Sequence, residues 1–141
     1  MSPDVWNDAK PIIAATAAAV TDNNGGPLLV EWPNESFSVP DPPNAWLSID
    51  IGGEAAEALE LGGKYWEERG AIYLHLMLPM FNGVDKGLAW RKAFSVAFRA
   101  AVPSTQGLYY DSHSFDPLGP DDGVWRRLTL IVRYRFTDLL Q

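Results

Sequence analysis

The longest regular pattern in the chain is an alternation of apolar and polar side chains near its end. Across residues 125–136, every second position from Leu128 to Phe136 is a large apolar residue, and the alternate series, which begins at residue 127, includes three arginines. Successive side chains of a β-strand point to opposite faces, so a period of two predicts a strand with one buried face. A strand this long needs sheet neighbours, which the rest of the chain must supply.

Four further segments are predicted to be strands of this sheet, and a fifth is ambiguous. Residues 45–51 alternate in the same way, and residues 28–32 and 108–115 predict shorter strands. Residues 71–78 are apolar at nearly every position, which is typical of a central strand covered on both faces. Residues 54–61 contain good helix formers but lie between two glycine pairs, and there we expect a strand or an irregular arm.

Two segments are predicted to be helices. The first covers residues 4–20 and can be capped by Ser2 or Asp4, while Pro11 is expected to kink or divide it. The second covers residues 83–102, with Asn82 as its cap and a proline directly after it. Its predicted apolar stripe consists of Val84, Leu88, Phe94, Ala97, Phe98 and Ala101.

The order of these elements predicts an α+β fold, a mostly antiparallel sheet flanked by two helices. No repeat or linker divides the chain, so residues 1–141 are expected to form a single domain. Residues 33–44 contain four prolines, which lack the amide donor that a central strand needs. This segment is therefore predicted to be an extended loop or arm, and residues 117–123 a turn-rich connector between the last two strands.

The composition excludes several classes of protein. The chain has no cysteine, which rules out disulfides, thiol catalysis and cysteine-bound metals. Its net charge of −7 argues against general nucleic-acid binding, and it would suit either solubility or a surface that DNA slides past. No apolar run reaches the roughly 18 residues of a membrane span. The apolar residues 11–20 lack the basic start of a secretory signal.

No group of residues has the spacing that catalysis or metal binding requires. His75 and His113 lie in separate predicted strands, without a spaced ligand motif. Ser112 directly precedes His113, but neighbours on a strand point to opposite faces and do not meet. The glycine pairs lack the Lys-Ser or Lys-Thr of a phosphate loop. We therefore expect no enzymatic activity, no cofactor and no metal.

Aromatic residues near loops and strand ends are the candidates for binding other proteins. Tryptophan is enriched at the centres of protein interfaces, although the alternative for each of these side chains is a place in the chain's own core. Exposed strand edges pair with other chains, and a closed ring leaves no edge open. Arg127, Arg133 and Arg135 share one face of the last predicted strand. There we expect them either to bind an acidic neighbouring subunit or to face solvent. The candidate inter-subunit contacts are Trp32, Phe37, Trp46, Trp66, Trp125, Arg127, Arg133 and Arg135.

One short phrase, Trp-Pro-Asn-Glu at residues 32–35, ends the first predicted strand and leads into the proline-rich segment. Further along come Arg-Gly and an apolar strand within residues 69–79, the amphipathic helix, and Trp-Arg-Arg at the start of residues 125–136. In this order, over most of the chain, the sequence resembles the tail-terminator family of long-tailed bacteriophages and gene transfer agents. The double proline and the acidic, alanine-rich residues 54–60 depart from the family pattern.

The resemblance implies a structural function without catalysis. Proteins of this family are a sheet flanked by helices and form a sixfold ring on the last ring of the tail tube. The ring stops polymerisation and offers its other face to the head connector, and DNA passes through its centre without sequence-specific binding. The implied location is the neck of the virion, assembled in the host cytoplasm without a membrane.

The partners implied by the resemblance are copies of the chain itself, the major tail tube protein and a head-closure or connector protein. The hexameric ring would form in solution or only on assembly. An alternative of the same class is another neck or minor tail component, such as a head-closure protein.

Overall fold

The structure, a computed structural model, describes residues 1–20, 23, 26–42, 44–81, 83–119 and 124–139, and these form two helices and five strands. The elements in chain order are α1 (Pro3–Ala19), β1 (Leu29–Glu31), β2 (Trp46–Ala58), β3 (Tyr65–Pro79), α2 (Asp85–Ala100), β4 (Leu108–Phe115) and β5 (Trp125–Leu139). The strands form one sheet in the order β1-β2-β3-β5-β4. Only β1 and β2 run parallel to each other, so the predicted α+β fold with a mostly antiparallel sheet is confirmed.

The core lies between one face of the sheet and the two helices. Leu74 sits at its centre, paired with Ile49 on β2 and with Leu130 on β5. Fully burying an aliphatic side chain of this kind contributes about 1.5–3 kcal/mol relative to leaving it exposed. The helices contribute the following buried side chains to the same cluster: Ala9, Ile13, Ala17, Trp90, Phe94 and Phe98.

The opposite face of the sheet, called the open face below, carries no helix in the described part of the chain. The alternate residues of β3, from Ala71 through Tyr73 and His75 to Met77, lie on this face. The expectation that β3 would be covered on both faces is therefore wrong. Both helices pack on the other face and contact each other, while Tyr73, His75 and Met77 on the open face are only half-buried.

Helix α1 is continuous from Pro3 to Ala19, so Pro11 does not divide it. Pro11 and Asn7, whose carbonyl loses its helical partner, are both exposed, and water can satisfy that carbonyl there. Ser2 occupies the N-cap position as expected, but its hydroxyl makes no cap. Instead it donates a 2.5 Å hydrogen bond to Glu68 on β3.

Helix α2 buries only part of the predicted stripe, namely Phe94 and Phe98. Trp90, Phe94 and Phe98 face the core at four-residue spacing, whereas Leu88, placed on the stripe by the sequence pattern, is 44% exposed. The helix comes closest to the sheet at Gly87, where an added Cβ would lie 2.6 Å from the Leu78 side chain. The N-cap position is held by Val84, and the predicted cap Asn82 lies outside the described residues.

Strands β2 and β3 continue well beyond the helices as a hairpin. We call residues 54–69 the distal hairpin. A strand was one possibility expected for residues 54–61, and the structure shows it up to Ala58, while the continuation of β3 into this hairpin was not predicted. A second small cluster of Val5, Leu108, Tyr134 and Phe136 supports its base. No helix of the described chain is long and apolar enough to cross a membrane.

Candidate functional site

The Trp-Pro-Asn-Glu phrase forms the turn by which the chain leaves β1. The amide of Glu35 donates to the Trp32 carbonyl at 3.2 Å, and Asn34 adopts a φ of 58°, a conformation that asparagine tolerates better than most residues. Lys10 of α1 lies 4.9 Å from the centre of the Trp32 ring and pairs with Glu35. The phrase therefore fixes the direction in which the following proline-rich segment departs.

That segment, residues 33–44, is called the arm, and its described residues form no helix or strand. Phe37 lies in contact with Trp46 on the open face, with 5.2 Å between ring centres, and Trp46 meets Trp125 edge to face at 6.1 Å. Trp46 and Trp125 are only 7% and 9% exposed. Three of the predicted contact residues thus form one aromatic cluster that holds the arm against the chain's own sheet.

The two remaining predicted tryptophans lie far from this cluster. Trp32 is half-buried and meets Trp6 of α1 edge to face at 6.0 Å. Trp66 lies in the distal hairpin, is 39% exposed and donates its indole N–H to the Gly63 carbonyl. Of the predicted tryptophans, Trp66 therefore offers the most surface to another protein.

The three predicted arginines all lie on the open face, as the alternation along β5 indicated. Arg133 donates to the Ser114 hydroxyl, while Arg135 lies over the Tyr109 ring at 4.9 Å and 3.8 Å from Asp111. Arg127 lies near the other end of the face and pairs with no carboxylate in the described part of the chain. The open face therefore presents separate cationic points rather than one continuous patch.

The centre of the open face carries a chain of polar side chains. The His75 ring lies 2.8 Å from the Thr129 hydroxyl through Nδ1 and 3.1 Å from an Asp50 carboxylate oxygen through Nε2. Burial and the charge of Arg127 lower the pKa of His75 despite the carboxylate of Asp50, which favours a neutral ring at pH 7.

This arrangement has the residue types of a nucleophile, a base and an acid, but it lacks an accessible nucleophile. Thr129 is only 5% exposed, and its hydroxyl is already in a hydrogen bond within the sheet. No group of three or more metal-ligating side chains occurs among the residues that the structure describes. We therefore interpret these contacts as cross-strand bonds that satisfy buried polar atoms.

The sheet ends at an unpaired strand edge on each side. On one side, β1 pairs only with residues 46–48, so residues 49–58, called the outer edge of β2, have no strand beside them in the described structure. On the other side, β4 pairs with β5 alone. The free N–H and C=O groups of such edges are a template for a strand of another chain.

A groove of about 320 Å³ runs beside β4 on the helix face, between this strand and α2. Lys92 and Arg99 line it together with His113, whose Nδ1 lies 2.8 Å from the Ser95 hydroxyl. Burial and, next, the charge of Arg99 lower the pKa of His113, so its ring is neutral at pH 7. The lining also includes Asp111, whose carboxylate lies 3.8 Å from Arg135. Two cations and one carboxylate leave the groove with a net positive charge, which makes it attractive to an acidic segment.

The outer edge of β2 and the groove were both missed by reasoning from the sequence. The outer edge depends on how little of β2 the short strand β1 covers, and a single sequence does not show such pairing. The groove brings together residues of α2 and β4 that share no local pattern. A partial signal existed in the composition of residues 54–58, where two glutamates and three small alanines match the charged, poorly packing character of an exposed strand edge.

Comparisons with known proteins bear on the fold alone. No protein-family model matches the sequence, and no curated protein matches it at a significant level. Several solved structures share the fold, and one of them is similar over 96% of this chain and 96% of its own, with a TM-score of 0.74 and 18% sequence identity. At this identity the similarity shows that the fold is shared, and it says nothing of function.

Proposed function

We propose that this chain is a structural subunit of a long-tailed bacteriophage or a phage-like particle, and that it acts as a tail terminator. In this role it forms a ring on the end of the tail tube, ends tube polymerisation and joins the tail to the head connector. Its place is the neck of the virion, and it is assembled in the host cytoplasm. It makes or breaks no covalent bond.

The observation that carries the proposal is the pair of unpaired edges on opposite sides of one sheet. A protein that works alone usually blocks such edges, whereas a protein that works in a ring can join them between neighbours. The two edges belong to different strands, β2 and β4. A contact between them is head-to-tail, which is the type of contact that generates rings.

The overall charge supports the part of the proposal that concerns DNA. The chain carries 18 acidic and 11 basic residues apart from histidine. A ring of such subunits has a large acid excess and repels the phosphate backbone. DNA can therefore pass through its centre without being held there.

The proposal is tested by measuring tail-tube length in particles that lack this protein. Without a terminator, tubes should overrun their normal length, and supplying the wild-type chain should restore it. Tubes of normal length that fail to join heads would instead favour the alternative, a head-closure or other neck component. Complete, infectious particles without the chain would refute both. Neighbouring genes for portal, connector and tail tube proteins would be an inexpensive first indication.

A further inference from the structure

The two unpaired edges lie at the same height along the sheet. Leu108 at the start of β4 pairs with Phe136 on β5, and Phe136 pairs with Glu68 on β3. Glu68 in turn pairs with Ala56 on β2, so Leu108 and Ala56 lie in the same row of the sheet. Phe115 at the end of β4 pairs with Leu130, which pairs with Leu74, and Leu74 pairs with Ile49. Phe115 and Ile49 therefore also share one row of the sheet. The residues of β4 therefore stand level with the part of β2 that β1 leaves uncovered.

The irregularities of the two edges also match in height. The pairing register of β2 shifts between Gly52 and Ala55, and that of β4 shifts between Tyr110 and Ser112. Both shifts fall beside Gly70 of β3, whose partner on β5 is Tyr134. A bulge bends a strand locally, so two bulges at one height let the edges follow each other.

The chemistry of the two edges is complementary. On the helix side of β2, Ala56 and Ala58 are small and exposed, and Glu54 reaches the amino terminus of Met1 on the same side. The groove that holds Lys92 and Arg99 lies on the helix side of β4. A β2 edge laid along β4 would place its small residues and its glutamate next to these cations.

We propose that the outer edge of β2 in one copy pairs with β4 of the next copy, and that this is the contact that closes the ring. The inference rests on the proposed ring and names its surfaces. Strands β2 and β4 run in opposite directions within the sheet, so rotation about an axis along the strands makes the new pair antiparallel. Because the edges stand at equal height, neighbours need no shift along that axis, and the assembly closes instead of growing as a helix.

The contact can be tested by disulfide formation, because the chain has no cysteine of its own. Ala55 and Tyr109 occupy one row of the sheet, Ala55 opposite Arg69 and Tyr109 opposite Arg135, and both are exposed. In the proposed contact their Cβ atoms come within roughly 4.5–5.5 Å, close to the separation that a disulfide spans. The single variants Ala55→Cys and Tyr109→Cys are mixed at high concentration and oxidised.

We expect on the order of tenfold more disulfide dimer from this mixture than from Tyr109→Cys mixed with Ala14→Cys, because docking holds the matched thiols at a high effective concentration. Ala14 is an exposed residue of α1 and serves as the control. The double variant with both cysteines should form a ladder of covalent multimers. Introducing Lys92→Glu and Arg99→Glu into the Tyr109→Cys partner should lower the yield severalfold.

Equal yields from the matched and control mixtures would overturn the proposed contact, and so would a dominant bond between two Ala55→Cys chains, which indicates a two-fold symmetric pair. If Lys92→Glu and Arg99→Glu leave the disulfide yield unchanged, the groove does not take part in the interface, and this result would contradict the inference as stated. The tube-length assay is independent of this result. If covalent rings form but tubes made with this protein still have uncontrolled lengths, the contact is supported and the terminator function is rejected.

Discussion

At the scale of single residues, the carboxylate of Glu68 connects the start of the chain to the sheet. It accepts hydrogen bonds from the backbone amide and the hydroxyl of Ser2 and from the phenol of Tyr134. Burial raises its pKa, but the bonds from Ser2 and Tyr134 outweigh this effect and lower the pKa below the ordinary 4.5. Burial and this carboxylate together raise the pKa of Tyr134, whose phenol therefore stays protonated as a donor.

Replacing Glu68 by glutamine should lower the free energy of unfolding by about 1–3 kcal/mol at neutral pH, because charge-assisted bonds are lost. Since the folded pKa lies below the unfolded value of about 4.5, the stabilisation is complete above that pH and is lost as the pH falls through the folded pKa. Urea unfolding of both proteins across this range checks the prediction.

The matched control for this experiment is Glu57→Gln. Glu57 is exposed, and its side chain makes no hydrogen bond or ion pair with any residue that the structure describes. Its replacement should change the stability little at any pH. If the difference between wild type and Glu68→Gln does not depend on pH, the carboxylate is not the group that ties Ser2 to the sheet.

At the scale of elements, the arm is held mainly through one side chain. Phe37 is half-buried against Trp46, which in turn packs on Trp125. The rest of the arm, including Val39 at 51% exposure, lies largely on the surface. The arm can therefore be released from the sheet without unfolding the core.

The variant Phe37→Ala should make residues 33–44 more susceptible to limited proteolysis severalfold while costing the whole domain little stability. The reason is that local opening depends on the few contacts that hold a segment, whereas global unfolding depends on the core. Mass spectrometry of the cleavage products locates the cuts. Val39→Ala, a truncation at an exposed position, is the control, and equal cleavage of the two variants would show that Phe37 does not anchor the arm.

Most elements could be predicted from local patterns, and the exceptions have physical reasons. The strand at residues 108–115 was predicted with the bounds that the structure shows, because its composition is typical and turns bound it. The continuation of β3 into residues 65–69 was not, since three of its five residues are charged and it becomes a strand only by pairing with β2 and β5. In α2 the second half of the predicted stripe was right, but in its first half Gly87 and Trp90 are buried instead of Leu88, and a glycine carries no hydrophobic signal.

For the candidate interface, the sequence predicts which types of residue take part but not which of them are accessible to a partner. Arg127, Arg133 and Arg135 lie on one face of β5 as expected, and the aromatic residues are near strand ends. Which of them remain available to a partner depends on packing that the sequence does not show: Trp125 is covered by Trp46, whereas Trp66 is exposed. The unpaired edges follow from the order of the strands, which is a property of the whole sheet.

At the scale of the whole molecule, the chain is a sheet with helices on one face, an open face on the other and an unpaired strand edge on each side. In the proposed ring, the strand edges join neighbouring subunits, and the two ends of each subunit are free to contact different partners. The distal hairpin projects at one end, with Leu61 fully exposed at its tip. The opposite end carries Phe81, exposed to 96%, beside a small apolar cleft.

The most direct test of the central claim is electron cryomicroscopy of tail tubes assembled in the presence of this protein. We predict one closed ring of the chain, sixfold as the resemblance implies, at a single end of each tube. Subunits distributed along the tube wall, or tube ends that carry no ring while the protein stays monomeric in solution, would contradict the account.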